Sequence, residues 1–379
     1  MSVQEADMLS SQPIPKRQKF EPDKHLFVCL MPVVFPLNPM WYAVKSVSLS
    51  HLSGGSSEHD NRLQDVVEWS DTTLPYAMGF CCADGILYGV GGEIFGEDSI
   101  DQNSLVRELR FTHLPLGGKS YLHSGIRSSM KWGKFLPIVV EIGGLFYALS
   151  RPPILDYGRR ETVFEVYDPS KNEWTGLDGP PFLSPSTFGA FPYSYVVIDN
   201  KLCVSNMAGS CAFDTKNWTW EACDLFAGFY DSDIMSSEEK YFLMESLEDY
   251  KYYLSDAIGP PFPFVEDAIL YEDFLLCNVP YFNPPVVALE IVRGKVARRL
   301  TLLNGIRPRA NSHFVDLGGG DFCLVSQADE RDECPEELTV VKFKVWKGED
   351  GGLGCADVME STLKFSAPGL CETIYVFAM

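Results

Sequence analysis

Two short segments of this chain repeat one spacing. In EVYDPSKNEW (residues 165–174), Tyr167-Asp168 is followed by Trp174, seven positions after the tyrosine. In AFDTKNWTW (212–220), Phe213-Asp214 is followed by Trp220, again seven positions after the aromatic residue. An aromatic residue closing a strand, an Asp opening a turn and a Trp starting the return strand make a hairpin with its own turn chemistry. A hairpin that recurs at fixed spacing points to a repeat array, because one such unit cannot bury its apolar face alone.

A second unit precedes each of these hairpins and recurs more widely. The stretches ADGILYGVGG (83–92), IGGLFYALS (142–150), IDNKLCVSN (198–206), YEDFLLCNV (271–279) and LGGGDFCLVSQ (317–327) each place a Gly, Asp or Asn turn before an aromatic or β-branched run. That is the signature of a tight β-hairpin. Tyr88, Tyr147, Cys203, Leu276 and Cys323 occupy equivalent points, 47 to 73 residues apart.

DGILYGVGG, with Gly91-Gly92 after Tyr88, and VYDPSKNEW resemble the two halves of a kelch repeat. The match is specific over about residues 76–222, and the later units lack the double glycine or the Trp spacing. The resemblance, in a style similar to that of divergent plant kelch-like proteins, implies an all-β kelch-type propeller of four-stranded blades. Units at 76–118, 133–178, 187–223, 264–304 and 311–366 follow a first unit with only three strands. The apolar terminal run TIYVFAM is expected to supply its missing inner strand, closing the ring and removing sheet edges. Six blades result, or seven if 225–260 hides a degenerate one. Stacked β-sandwich domains would leave the matched spacing unexplained.

Residues 1–24 are polar and read as a disordered tail, and 25–379 as one propeller domain with an acidic, helical insertion at 224–263. The tail's PKRQK (15–19) is either a minimal nuclear-import signal or plain solvated chain. A formal charge of −21 argues against nucleic acid as a partner. No apolar run is long enough to span a membrane, and no apolar leader marks secretion. The 11 cysteines are scattered and lack any CxxC pair, which fits reduced thiols in the cytoplasm or nucleus.

Connection lengths give the functional expectation. In a propeller with strands a to d from the centre outward, b–c and d–a connections share one face; a–b and c–d turns share the other. The long segments 93–104, 151–161, 280–285, 328–337, 112–132, 178–188 and 224–263 all fall on the first face, whereas most turns of the second are tight. Only 51–64 and 347–360 are expected to be long there. Long insertions on one face of a repeat array mark its binding face. The insertion carries nine Asp or Glu against two Lys over 224–256. Tyr241, Glu245, Glu248 and Tyr252 are its candidate docking residues. Arg298, Arg299 and Arg307, in a basic stretch at 293–309, are candidates for binding an acidic peptide or phosphate, or else face water or pair with that insertion.

No nucleophile elbow, Walker loop, dinucleotide fingerprint or zinc-protease motif is present, and the six histidines lack metal-ligand spacing. The expectation is therefore a monomeric, non-catalytic interaction scaffold with no cofactor, binding a protein partner of unknown identity. The resemblance adds two alternatives: a substrate receptor joined to a ubiquitin ligase through a separate adaptor, since only 24 residues precede the first strand where an F-box would sit, and an iron-dependent specifier-type enzyme.

Overall fold

In the computed structural model the described residues are 24–32, 40–50, 52, 62–71, 75–84, 86–92, 106–110, 124–126, 128–131, 134, 136–151, 163–181, 194–206, 209–229, 234, 236, 259–264, 266–279, 286–303, 312–327, 336–349, 351–367 and 371–379. The tail at 1–23, and with it PKRQK, lies outside them, as do Tyr241, Glu245, Glu248, Tyr252 and Arg307.

The strands run in chain order as consecutive meanders. Sheet 1 contains β1 (His25–Pro32), β2 (Met40–Ser48) and β3 (Gln64–Asp71); sheet 2 contains β4 (Gly79–Ala83), β5 (Ile86–Val90), β6 (Val106–Arg110) and β7 (Ser124–Ile126). Sheet 3 is β8 (Ile138–Ile142), β9 (Leu145–Leu149), β10 (Phe164–Asp168) and β11 (Glu173–Leu177). Sheet 4 is β12 (Ser194–Ile198), β13 (Lys201–Asn206), β14 (Gly209–Asp214) and β15 (Thr219–Ala222), joined by the two-residue β16 (Glu266–Asp267). Sheet 5 is β17 (Ile269–Tyr271), β18 (Phe274–Asn278), β19 (Val286–Val292) and β20 (Lys295–Thr301). Sheet 6 is β21 (Ser312–Gly318), β22 (Asp321–Gln327), β23 (Glu337–Lys347) and β24 (Leu353–Lys364), and β25 (Cys371–Ala378) ends the chain.

Five of these sheets are four-stranded and antiparallel throughout. Sheet 4 departs from the expected six four-stranded blades: β16 adds a fifth strand, parallel to β12, pairing Ser194 with Glu266 and Tyr195 with Asp267. The parallel strand is supplied by the chain returning from the 224–263 insertion. β25 pairs antiparallel with β1 from Leu26↔Ala378 to Pro32↔Cys371 and completes sheet 1 as β25-β1-β2-β3. The result is a propeller-like all-β fold with antiparallel four-stranded blades.

The apolar runs follow from how the sheets stack. Leu87 of β5 packs with Tyr42, Phe80 and Phe377 between sheets 1 and 2. Its neighbour Tyr88 packs with Phe146, Ala148 and Tyr167 between sheets 2 and 3. Side chains alternate across a strand, so a strand buried on both faces must be apolar at nearly every position. Further buried clusters draw on sheets 3 and 4, 4 and 5, 5 and 6, and 6 and 1. Edge strands of neighbouring sheets also touch: β25 with β4, β4 with β8, β12 with β17, β17 with β21, and β21 with β25.

Two expected boundaries change. The outer strand of sheet 2 is Ser124–Ile126, beyond the expected limit of 118, so the long connection 111–123 is a c–d connection. In sheet 6, β24 begins at Leu353, which shortens the c–d connection to 348–352, a turn closed by Gly348 N–H to Gly352 O at 2.7 Å.

Candidate functional site

The strand ends sort the connections. The a–b turns are tight in sheets 2 to 6, and all five are built on left-handed residues: Asp84, Gly143 with Gly144, Asp199, Glu272, and Gly319 with Gly320. On the opposite face the strands are joined by 33–39, 72–78, 91–105, 127–137, 150–163, 178–193, 207–208, 223–265, 279–285, 302–311, 328–336 and 365–370. The exceptions on the tight face are 49–63 and 111–123. Moving 111–123 reduces the expected one-sidedness, and the longest connections stay on the b–c and d–a face.

The longest of them, the 224–263 insertion, is fastened at both ends. Its entry is a single 3-10 turn, Asp224–Phe226, with Leu225 and Phe226 buried. Its exit, Gly259–Phe264, returns beside the entry. Phe226 meets Phe229 and Phe262 at 5.2 Å each, and Phe262 stacks on Phe264 at 5.2 Å. Such aromatic packing fixes orientation as well as burying area. Polar contacts stitch the two ends to the rim of sheet 4. Ser210 N–H donates to Gly259 O and Gly259 N–H to Ser210 O, at 2.9 and 2.8 Å. The Ser210 hydroxyl donates to Pro260 O at 2.5 Å, with Cys223 O 3.1 Å from the same oxygen, while Phe262 N–H donates to the Ser205 hydroxyl at 2.8 Å. A Cβ on Gly259 would lie 2.0 Å from Cys223 O, so only glycine fits where the ends cross.

Of the basic candidates, Arg298 lies on β20, the outer strand of sheet 5, and forms an ion pair with Glu290 on β19. Arg299 sits opposite Leu289 in the same ladder. Val296 of this strand packs in the cluster that holds Cys223, Leu225, Phe226 and Phe229. The fold thus brings the basic strand against the root of the acidic insertion; residues 237–258, which carry four of the candidate docking residues, lie outside the described residues.

The repeat markers form a consistent set. Tyr167 pairs across the ladder with Trp174, and Phe213 with Trp220, with ring centroids 5.1 Å apart in both. The Trp174 indole N–H donates to Ser128 O at 3.0 Å, and that of Trp220 to Asp178 O at 2.7 Å. Each acceptor lies just past the outer strand of the preceding sheet, so each Trp staples one sheet to the one before it. Asp168 and Asp214 cap their turns: Asp168 accepts the Ser170 N–H at 2.9 Å, and Asp214 the Lys216 N–H at 2.8 Å. Hydrogen bonds from Lys171 and Ser170 pull the Asp168 carboxyl down to about 2. Tyr147 is buried against Phe164 and Phe213. Gly91 and Gly92 have φ of +74° and +87°, and Gly92 N–H donates to Lys134 O at 2.6 Å.

Sequence reasoning missed a polar layer at the ends of the b strands, on the long-connection face. Asn206, Asn278 and Gln327 are all buried. Asn206 Oδ1 accepts the Gly209 N–H at 3.1 Å and shapes the shortest b–c connection. Gln327 grips β25, donating to Cys371 O at 2.7 Å and accepting the Thr373 N–H at 2.6 Å. The signal was present: CVSN, LLCN and LVSQ each end an apolar run in an amide. Lys134 was missed as well. It lies fully buried with Glu165, whose other oxygen accepts the Lys131 N–H at 2.9 Å. Desolvation lowers the Lys134 ammonium against the pull of the carboxylate.

Ten of the cysteines are described, and all ten are free thiols. Burial pushes Cys81 and Cys323 up to about 12. Among the described residues no group of three or more His, Cys, Asp or Glu is arranged to hold a metal ion. Among them, too, no helix is long and apolar enough to cross a membrane.

Comparison with known proteins adds little identity. A family model described as "Protein of unknown function (DUF1668)" matches residues 127–225, the stretch that holds both aromatic-Asp-Trp hairpins. No curated protein matches the chain. Among solved structures, apo AztD from Citrobacter koseri is similar at 9% identity and a TM-score of 0.35, over 94% of this chain and 98% of that one. At that score the likeness carries no weight for function.

Proposed function

We propose that the sheets close into a six-membered, kelch-type ring, and that the protein is a non-catalytic interaction scaffold. A protein partner docks on the face that gathers the b–c and d–a connections. The observation that carries this reading is the fastening of the 224–263 insertion: both its ends are pinned to the rim of sheet 4 by buried phenylalanines and serine hydroxyls. A long acidic and aromatic segment held on rigid stems presents binding residues at low ordering cost. Buried, high-pKa thiols suit the reducing interior of a cell, the cytoplasm or nucleus.

The test keeps the stems. Residues 231–257 are replaced by a Gly-Ser linker of equal length, leaving Phe229 and Gly259 in place, and proximity labelling compares the two proteins in cells. Loss of the most enriched partners with an unchanged melting temperature supports the reading. An unchanged partner set removes the insertion from the docking surface.

A further inference from the structure

Strands β25 and β4 meet where sheets 1 and 2 pack, and metal-capable side chains converge there. The Cys82 thiol of β4 donates to Met379 Sδ at 3.9 Å, across 297 positions of sequence and from one sheet to the next.

The ladder supplies a third side chain. His25 N–H donates to Met379 O at 2.9 Å, and Met379 N–H to His25 O at 3.1 Å. Two residues that exchange both backbone bonds stand directly opposite, with their side chains on one face and Cβ atoms about 5 Å apart. The rows beside them fix which face. Phe27 pairs with Phe377, and Cys29 with Tyr375. Alternation therefore puts His25 with Phe27 and Cys29 on one face of β1, and Met379 with Phe377 and Tyr375 on the same face of β25. That face is turned to sheet 2, because these neighbours pack in one cluster with Cys82 and Phe80. Imidazole, thioether and thiol thus share one side of the seam.

The group is held from behind and open in front. The Tyr375 hydroxyl accepts the Cys82 N–H at 3.1 Å. Phe27 stacks on Phe377 at 5.0 Å, and Phe377 on Tyr375 at 5.7 Å, forming an aromatic wall. His25, Cys82 and Met379 are each half-buried, next to the a–b turn at Asp84. Cys29 on the same face is 1% exposed, and burial holds its thiol well above its ordinary value. Cys82 is therefore the thiol that an ion reaches.

The donors select the ion. A thioether is a soft ligand that suits copper(I), whereas magnesium, calcium and manganese take oxygen and zinc takes thiolate, imidazole or carboxylate. Charge agrees with this. One thiolate cancels the single charge of copper(I), while a divalent ion would leave a net charge against the aromatic wall. Binding replaces the Cys82 S–H bond by an S–Cu bond, the proton leaves to solvent, and no electron is transferred.

We propose that the His25 imidazole, the Cys82 thiolate and the Met379 thioether hold one copper(I) ion at the junction of sheets 1 and 2. The ion ties β1 and β25 to β4 and so stabilises that seam. The site lies on the tight-turn face, opposite the insertion, and stands independently of any docking there.

The test is anaerobic titration of the reduced full chain with copper(I) against the chelator bicinchoninate, followed by X-ray absorption of the complex at the copper edge. The expected result is one equivalent retained, with one nitrogen and two sulfur neighbours, and a higher melting temperature for the loaded protein. Met379→Leu and His25→Phe keep the apolar packing and are each expected to weaken retention by about tenfold or more. Cys82→Ser is expected to abolish the rise in melting temperature. The absorption spectrum needs no variant, so it decides even if a substitution disturbs folding. No retained equivalent, copper surrounded by sulfur alone, or unchanged retention by Met379→Leu and His25→Phe would overturn the proposal. So would displacement of the copper by an equal concentration of zinc(II).

Discussion

Lys134 and Glu165 form an ion pair with both side chains fully buried, between the connection entering sheet 3 and that sheet's third strand. Taking two charges out of water costs several kcal/mol each, and the pair recovers this only while both partners are present. Lys134 also gives its carbonyl to Gly92, so one residue joins sheets 2 and 3 through side chain and backbone. Lys134→Met is expected to destabilise the protein by about 3–5 kcal/mol in urea unfolding, by leaving a buried carboxylate alone. Lys134→Met with Glu165→Leu should recover most of that loss. If the double variant is no more stable than the single one, the pair is not the source of the cost.

Trp174 and Trp220 are expected to behave alike. Phe in place of either keeps the ring against Tyr167 or Phe213 and removes the indole N–H bond to the preceding sheet, at about 1 kcal/mol. Thermal unfolding of the two single variants should show similar losses. A loss at one site only would mean that the two copies of the hairpin do not share a role.

The double glycine gives a steric prediction. A Cβ on Gly92 would lie 2.6 Å from Pro75 Cβ and from Tyr76 O. Gly92→Ala must therefore move backbone and is expected to cost more than about 2 kcal/mol. Gly143 is also left-handed, but a Cβ there meets nothing within 4 Å. Gly143→Ala should cost only the conformational term, about 1 kcal/mol. Chemical denaturation of both variants separates crowding from backbone conformation.

Asp168 sets a pH dependence. Its folded carboxyl is lowered to about 2 by Lys171 and Ser170, below the unfolded carboxylate value. The contribution is thus fully present above about pH 4 and fades as the pH falls toward 2. The residue is solvent-facing, so salt screens the effect and its size is modest. Carboxyl NMR titration should find the depressed value in the wild type and a near-ordinary one after Lys171→Ala with Ser170→Ala.

Much of the architecture was legible because sheet packing writes itself into sequence. A strand buried on both faces has to read as a continuous apolar run, and five such runs each follow a turn. The Tyr167–Trp174 and Phe213–Trp220 spacings were legible because each pairs two aromatic residues across one ladder. What escaped had no pattern to offer. Ser124–Ile126 is three residues of Ser-Gly-Ile, and Glu266–Asp267 is a two-residue acidic strand with no apolar pattern. The insertion was recognisable by composition, but its fastening depends on Ser205, Ser210 and Gly259, which lie up to 54 positions apart and meet only in the fold.

Hydrogen exchange of the full chain, alone and with the most enriched partner from proximity labelling, tests the central claim most directly. The account predicts new protection at Asn206–Gly209, Asp224–Phe229, Gly259–Phe264 and Asn278–Val279, with none at the a–b turns around Asp84, Gly143 and Asp199. Protection confined to those a–b turns, with the insertion's stems unchanged, would contradict it.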